Sequence, residues 1–357
     1  MKIRKILSLA FASTLLFNVA CSDDNDIVID NPPKGAYENG VLISNEGGFS
    51  SPTSEVSFVS NDFGTVENKL YSRNNNNEIL GSVLQTIGFS GDNAYLVSNV
   101  PNKIDIVNRY SFKKQATVTS NLDNPRYITF SGNQYYVTNN NFGTMVKKLN
   151  VYNTNNNSFV KSINFDRLAE KVVEANGSIV VQTDGITYET TPPYNELPTG
   201  YTITIVKPST NTVDKVVTLP SNGIIRDLIS YNGSAYVLAS SSTNSYIYKI
   251  NASAGTFTTT SITGIPKVLK LRIDANKFYF ADSSNKIYSM NLDSSTPSTA
   301  IVTTPGNLYG FNVIDGKIFA SDASYTADSK VYIYNAANGS VLKSFNTGIA
   351  TNGFYKN

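Results

Sequence analysis

One motif recurs six times at near-constant spacing, no stretch of useful length shows helical periodicity, and the last seven residues match the opening of a repeat. Together these predict an all-β fold, a seven-bladed β-propeller of four-stranded antiparallel blades, with six or eight blades as the alternative counts. The motif is a Gly- or Asn-centred turn followed by an aromatic strand: GDNAYLVSN (91–99), GNQYYVTNN (132–140), NGSIVVQTD (176–184), NGSAYVLAS (232–240), ANKFYFADS (275–283) and DGKIFASDA (315–323). With Tyr95, Tyr136, Val180, Tyr236, Tyr279 and Phe319 taken as equivalent, the intervals are 41, 44, 56, 43 and 40 residues. Blade repeats run to about 40–45 residues, so one interval is long and the rest fit.

The turns join strands because Asn-Gly and Asp-Gly supply the positive φ of a tight hairpin. Third strands follow in KIDIVN (103–108), YIYKIN (246–251), KIYSMN (286–291) and KVYIYN (330–335). Their alternation predicts one set of side chains against a neighbouring blade and a second, more polar set. Fourth strands read SFVKSINF (158–165) and SVLKSFNT (340–347). Asp166 to Glu174 is the one weak helix candidate, a single turn. A seventh unit starts at GVLISNEGG (40–48) without its first strand, and Thr351–Asn357 resembles the opening Asn124-Pro125-Arg126-Tyr127 strand. The tail is therefore expected to complete the first blade, which hides sheet edges that otherwise invite aggregation.

Composition narrows the function classes. Histidine is absent, which excludes a His-based triad, an imidazole metal ligand and a His pH switch. The single cysteine excludes an internal disulfide, a zinc cluster and a CxxC redox pair. With 29 Lys+Arg against 27 Asp+Glu there is no excess of basic charge to mark a nucleic-acid binder. No GxSxG elbow, P-loop, dinucleotide fingerprint or DxDxDG calcium run appears, so neither a cofactor nor a metal is expected.

The chain opens with Lys2, Arg4 and Lys5, a short apolar run from Ile6 to Phe17, and Asn18-Val19-Ala20 before Cys21. Residues 1–20 read as a secretory signal peptide. The cysteine directly after it resembles a bacterial lipoprotein signal, which implies lipidation at Cys21. The bare alternative is a secreted protein with a free thiol. The acidic stretch Ser22-Asp23-Asp24-Asn25-Asp26 resembles the surface-export signal of Bacteroidota lipoproteins, the alternative being a solvated tether. Residues 21–36 read as a lipidated acidic tether and 37–357 as the propeller, outer-membrane-attached only through the lipid anchor and facing the cell surface. Without the signal segment the charge becomes 26 Lys+Arg against 27 Asp+Glu.

Tyr136-Val137-Thr138-Asn139 spells the YVTN signature, and VLISNEGGFSSPTSEVSFV and NPRYITFSGNQYYVTNN are similar to lipoprotein propellers of Bacteroidota. One branch of that family captures cobalamin at the cell surface and caps a TonB-dependent transporter. The resemblance implies a non-enzymatic binding lipoprotein that captures a ligand, cobalamin or another nutrient, for such a transporter. The alternative is a scaffold subunit of an outer-membrane complex. A third reading, a carboxylate-based glycoside hydrolase, would use Glu46, Asp184 and Glu189, though nothing in their spacing brings them together.

Ligands of propellers meet the loops that join second to third strands and fourth to first strands. On that face the repeats place Phe49, Asn140, Phe142, Asp184, Tyr188, Tyr194 and Tyr325, with Arg126 and Arg226 near the channel mouth. Aromatic faces and Asn amides suit a flat, amide-bearing ligand, a sugar or a protein partner. The two arginines suit a carboxylate or phosphate, or else pair with the neighbouring Asp123 and Asp227. The extra length of the long interval lies in residues 183–202, the candidate for a dominant contributor to the binding face.

Overall fold

The computed structural model describes residues 33–357 apart from 142, 186, 189–190, 194–195 and 198–199, and apart from the side chains of 187–188 and 196–197. Cys21, Ser22, Asp23, Asp24, Phe142, Glu189 and Tyr194 lie outside the described residues. Seven four-stranded antiparallel sheets make up the body. Numbered in chain order, the innermost strands of blades 2, 3 and 4 are Val83–Ser90, Pro125–Ser131 and Val172–Ala175. Those of blades 5, 6 and 7 are Ile224–Tyr231, Val268–Asp274 and Leu308–Ile314.

Blade 1 contains Gly40–Asn45, Glu55–Ser60 and Val66–Glu67, and its innermost strand is Thr351–Lys356 from the other end of the chain. The register runs from Val41 opposite Lys356 to Ser44 opposite Gly353. Beyond it, Asn357 accepts a 2.7 Å hydrogen bond from Arg109 Nε, and its own backbone N–H donates to Gly40. The tail is thus held by blades 1 and 2.

Hairpin chemistry follows the sequence. Asn232 and Gly233 have φ of 45° and 69°, and Asp315 and Gly316 have 49° and 71°. These two-residue turns need positive φ at both positions, which a glycine adopts at little cost.

Each second strand lies between two neighbouring blades, so its alternate side chains enter different cores. Tyr135 and Val137 pack with blade 2, whereas Tyr136 packs with blade 4. Third strands also reach two cores, and the expected more polar set remains, as with Lys249 and Asn251 exposed in blade 5. In blade 5 Ile247 faces blade 6 and Tyr248 faces blade 4, both buried. Seven apolar clusters result among the described residues, one at each blade–blade junction, including that between blades 7 and 1. A row of blades left open would have only six junctions.

Asp166–Glu174 is not helical. Leu168 bridges Gly185, and Val172–Ala175 is the inner strand of blade 4, because Ala169 and Val172 are drawn into the core shared with blade 3. A five-residue helix occurs instead at Leu70–Asn74, with Leu70 and Tyr71 buried. The long interval carries a two-stranded hairpin, Thr187–Tyr188 with Glu196–Leu197. No helix among the described residues is long and apolar enough to cross a membrane.

Candidate functional site

All seven innermost strands line one central cavity of about 980 Å³. Its mouth is shaped by a repeated irregularity. In blade 5, Ile225 faces Ala239 and Asp227 faces Leu238, so Arg226 is an extra residue with no partner. The same shift leaves out Gln85 in blade 2, Leu269 in blade 6 and Asn352 in blade 1. In blades 3 and 7 two residues, Arg126-Tyr127 and Tyr309-Gly310, face one. Blade 4 does likewise just outside its strand, where Glu170 N–H donates to Gln182 and Gln182 N–H donates to Lys171. Such bulges re-aim side chains, and here, Leu269 of blade 6 apart, they bring polar groups to the channel.

Hydroxyls fix the ring from behind. Thr138 accepts from Tyr127 N–H at 3.0 Å and donates to the Glu170 carbonyl of the next blade at 2.6 Å. Ser321 accepts from Gly310 N–H and donates to the Thr351 carbonyl, each at 2.7 Å. Ser240 donates to the Val268 carbonyl at 2.7 Å.

The electrostatics centre on three buried or half-buried acids. Asp227, 2% exposed, accepts from Lys171, from Arg272 at 2.9 Å, and from the Leu271 and Leu228 amides at 3.0 Å each. Burial alone would raise its pKa, but Lys171 and Arg272 outweigh it and hold it at about 2. Glu170 receives a bidentate contact from Arg126, at 2.7 Å from the terminal nitrogen to Oε1 and 3.2 Å from Nε to Oε2, and the Asn140 amide at 2.9 Å. Glu46 accepts from the Tyr309 hydroxyl at 2.6 Å and from the Gln85 amide at 3.1 Å. Burial, and then the Glu46 charge, push the Tyr309 pKa well up.

Besides Glu46, three groups on the wall stay without an ion pair among the described residues. Lys270 lies 5.6 Å from the Tyr309 ring centroid; burial, then Lys171 and Arg272, bring its pKa down to about 8. Arg226 makes only a long 3.4 Å contact to Ser240. Asp184, 1% exposed, leaves Oδ1 without a hydrogen-bond partner, and burial pushes its pKa up to about 7. A second cavity of about 760 Å³ opens beside blade 5, lined by Tyr201, Tyr246, Lys267 and a Ser-rich loop. It shares Ile224, Arg226 and Leu269 with the central cavity.

Of the residues expected at the site, Arg126, Asn140, Asp184 and Arg226 line the central cavity together, as does Glu46. Tyr325 is 54% exposed, its ring 5.7 Å from that of Tyr309, on the rim. Phe49 is 81% exposed and lines neither cavity. Tyr188 belongs to the inserted hairpin. The expected arginine pairings are corrected: Arg126 pairs with Glu170, not Asp123, and Asp227 pairs with Lys171 and Arg272, not Arg226. The oxygens of Asp227 are already taken by Lys171, Arg272 and two backbone amides. Sequence reasoning missed Glu170, Lys171, Lys270 and Arg272. For Lys270 and Arg272 the signal was available in LKLRID, where two cations alternate along an inner strand.

Comparison with known proteins places this architecture. The family model described as a domain of unknown function, DUF5074, matches residues 39–272. The chain belongs to the DUF5074 family. No curated protein sequence matches it. Among solved structures this DUF5074 protein is similar to a quinonprotein alcohol dehydrogenase-like protein from Bacteroides thetaiotaomicron. There the identity is 13% and the TM-score 0.65, over 90% of this chain and 78% of that one. It is also similar to a dihydro-heme d1 dehydrogenase, with 14% identity and a TM-score of 0.56 over 91% and 77% of the chains. A computationally designed protein, Ika8, gives 9% identity and a TM-score of 0.55 over 90% and 91%. At these identities the likeness is one of fold.

Proposed function

We propose that this DUF5074 propeller is a non-enzymatic binding protein that captures a small molecule at the mouth of its central channel. The observation that carries the reading is the central cavity itself. At about 980 Å³ it has the size of a ligand pocket, and every blade supplies a bulge-directed side chain to its wall. Tyr127, Tyr309 and the remaining hydrogen-bonding capacity of Asn124 and Asn140 offer stacking and hydrogen bonds to a flat, amide-bearing ligand such as a corrinoid.

Delivery to a TonB-dependent transporter from a lipid anchor at Cys21 completes the proposal, supported by the signal-like N-terminus and the resemblance to Bacteroidota lipoprotein propellers. The exposed Phe49 and Tyr325 suit contact with such a partner. Isothermal titration of the full chain with cyanocobalamin tests the ligand: heat at micromolar concentration supports a corrinoid, and none removes it. Metabolic palmitate labelling tests the anchor, which requires that the label vanish in Cys21→Ser.

A further inference from the structure

The wall of the central cavity carries five cationic side chains, Arg126, Lys171, Arg226, Lys270 and Arg272, against four carboxylates, Glu46, Glu170, Asp184 and Asp227. Pairing uses these charges unevenly. Arg126 is taken by Glu170, and Lys171 and Arg272 share Asp227. Glu46 is satisfied by a hydroxyl and an amide. Asp184 faces Arg167 and Glu170 electrostatically from blade 4. What remains is Lys270 and Arg226, on the adjacent inner strands of blades 6 and 5, with no counter-ion among the described residues.

Removing a cation from water without a partner is unfavourable: half-buried Lys270 has Lys171 and Arg272 near it, opposed only by the Asp227 they already share, whereas Arg226 stays exposed at the mouth. An isolated surface lysine would avoid this by extending into solvent. Lys270 instead points into a concave wall, against an aromatic face. Arg226 is delivered to the same wall by a bulge, and it borders both cavities.

We propose that the channel mouth holds an oxyanion, the phosphate or carboxylate of a ligand, between Lys270 and Arg226. Arg226 offers a planar fork that suits either oxyanion and Lys270 a point charge. Lys171 and Arg272, already partly neutralised by Asp227, extend the positive field behind them. This rests on the reading of the channel mouth as a binding site and names the chemistry that site selects.

Titration of the full chain with pyrophosphate and, separately, with citrate distinguishes the two sources. Saturable binding of either supports the site, and the tighter arm names the group; binding of neither overturns it. Lys270→Met and Arg226→Gln are each expected to weaken the bound probe at least tenfold, whereas Lys215→Met on the outer surface leaves it unchanged. Equal affinity in all three overturns the assignment. Lys270→Met should also unfold no more readily than the parent protein in anion-free buffer, since it removes an uncompensated charge; a clear loss of stability would mark a structural lysine instead. Where a variant fails to fold, acetylation of Lys270 in the parent protein gives the answer: pyrophosphate or citrate should slow it severalfold, and an unchanged rate contradicts the site. Cyanocobalamin heat with no binding of either anion would overturn the oxyanion site while leaving the capture reading intact. Anion binding without cyanocobalamin heat supports the oxyanion site and removes only the corrinoid.

Discussion

Asp227 gathers two cations and two backbone amides at one carboxylate, and its worth lies in what it prevents. Without its charge, Lys171 and Arg272 would remain beside the cavity with no counter-ion. Asp227→Asn is therefore expected to cost about 3–5 kcal/mol, the range for breaking a buried pair, read by denaturant unfolding. The lowered pKa sets the pH window: the stabilisation is complete above about pH 4 and is lost as pH falls towards 2. Asp184 has the opposite sign. Its native carboxyl keeps its proton up to about pH 7, so the folded state loses ground to the unfolded as pH rises from 4 to 7. In thermal melts the advantage of Asp184→Asn over the parent protein should grow between pH 5 and pH 8. A constant difference would show that Asp184 is already ionised at pH 5.

Strands and turns were legible from sequence for a simple reason. Each blade repeats the same local chemistry, a positive-φ turn and then an aromatic second strand, so KIYSMN matched its strand, Lys286–Asn291, without adjustment. The bulges were not legible. A one-residue excess changes which face of a strand a side chain occupies, but it leaves no mark in an alternating pattern only a few residues long. Nor is it legible that Lys171 and Arg272 reach Asp227 from the neighbouring blades, which is why Asp227 was assigned to Arg226. The short stretch at 166–174 misled for a related reason: helical propensity there is overridden by packing against blade 3. The hydroxyl behind the bulge is the element-scale test. Thr138→Val keeps the shape but leaves the Tyr127 amide and the Glu170 carbonyl without their partner. It should cost about 1–3 kcal/mol in denaturant unfolding, and a neutral result would remove the stapling role.

At the scale of the molecule, the channel exists because the ring is closed. Six blades follow one another along the chain, but blade 1 obtains its inner wall from the last residues, including Asn352 and Tyr355 of the cavity. The apolar cluster between blades 7 and 1 contains Phe354 from that strand with Val41 and Ile333. Hydrogen–deuterium exchange of the intact chain tests closure directly. Amides of Thr351–Lys356 should exchange as slowly as those of their partner strand Gly40–Asn45, and the two should open together as denaturant is raised. Exchange of 351–356 at the rate of a free tail, while 40–45 stays protected, would contradict the closed ring and the binding site built on it.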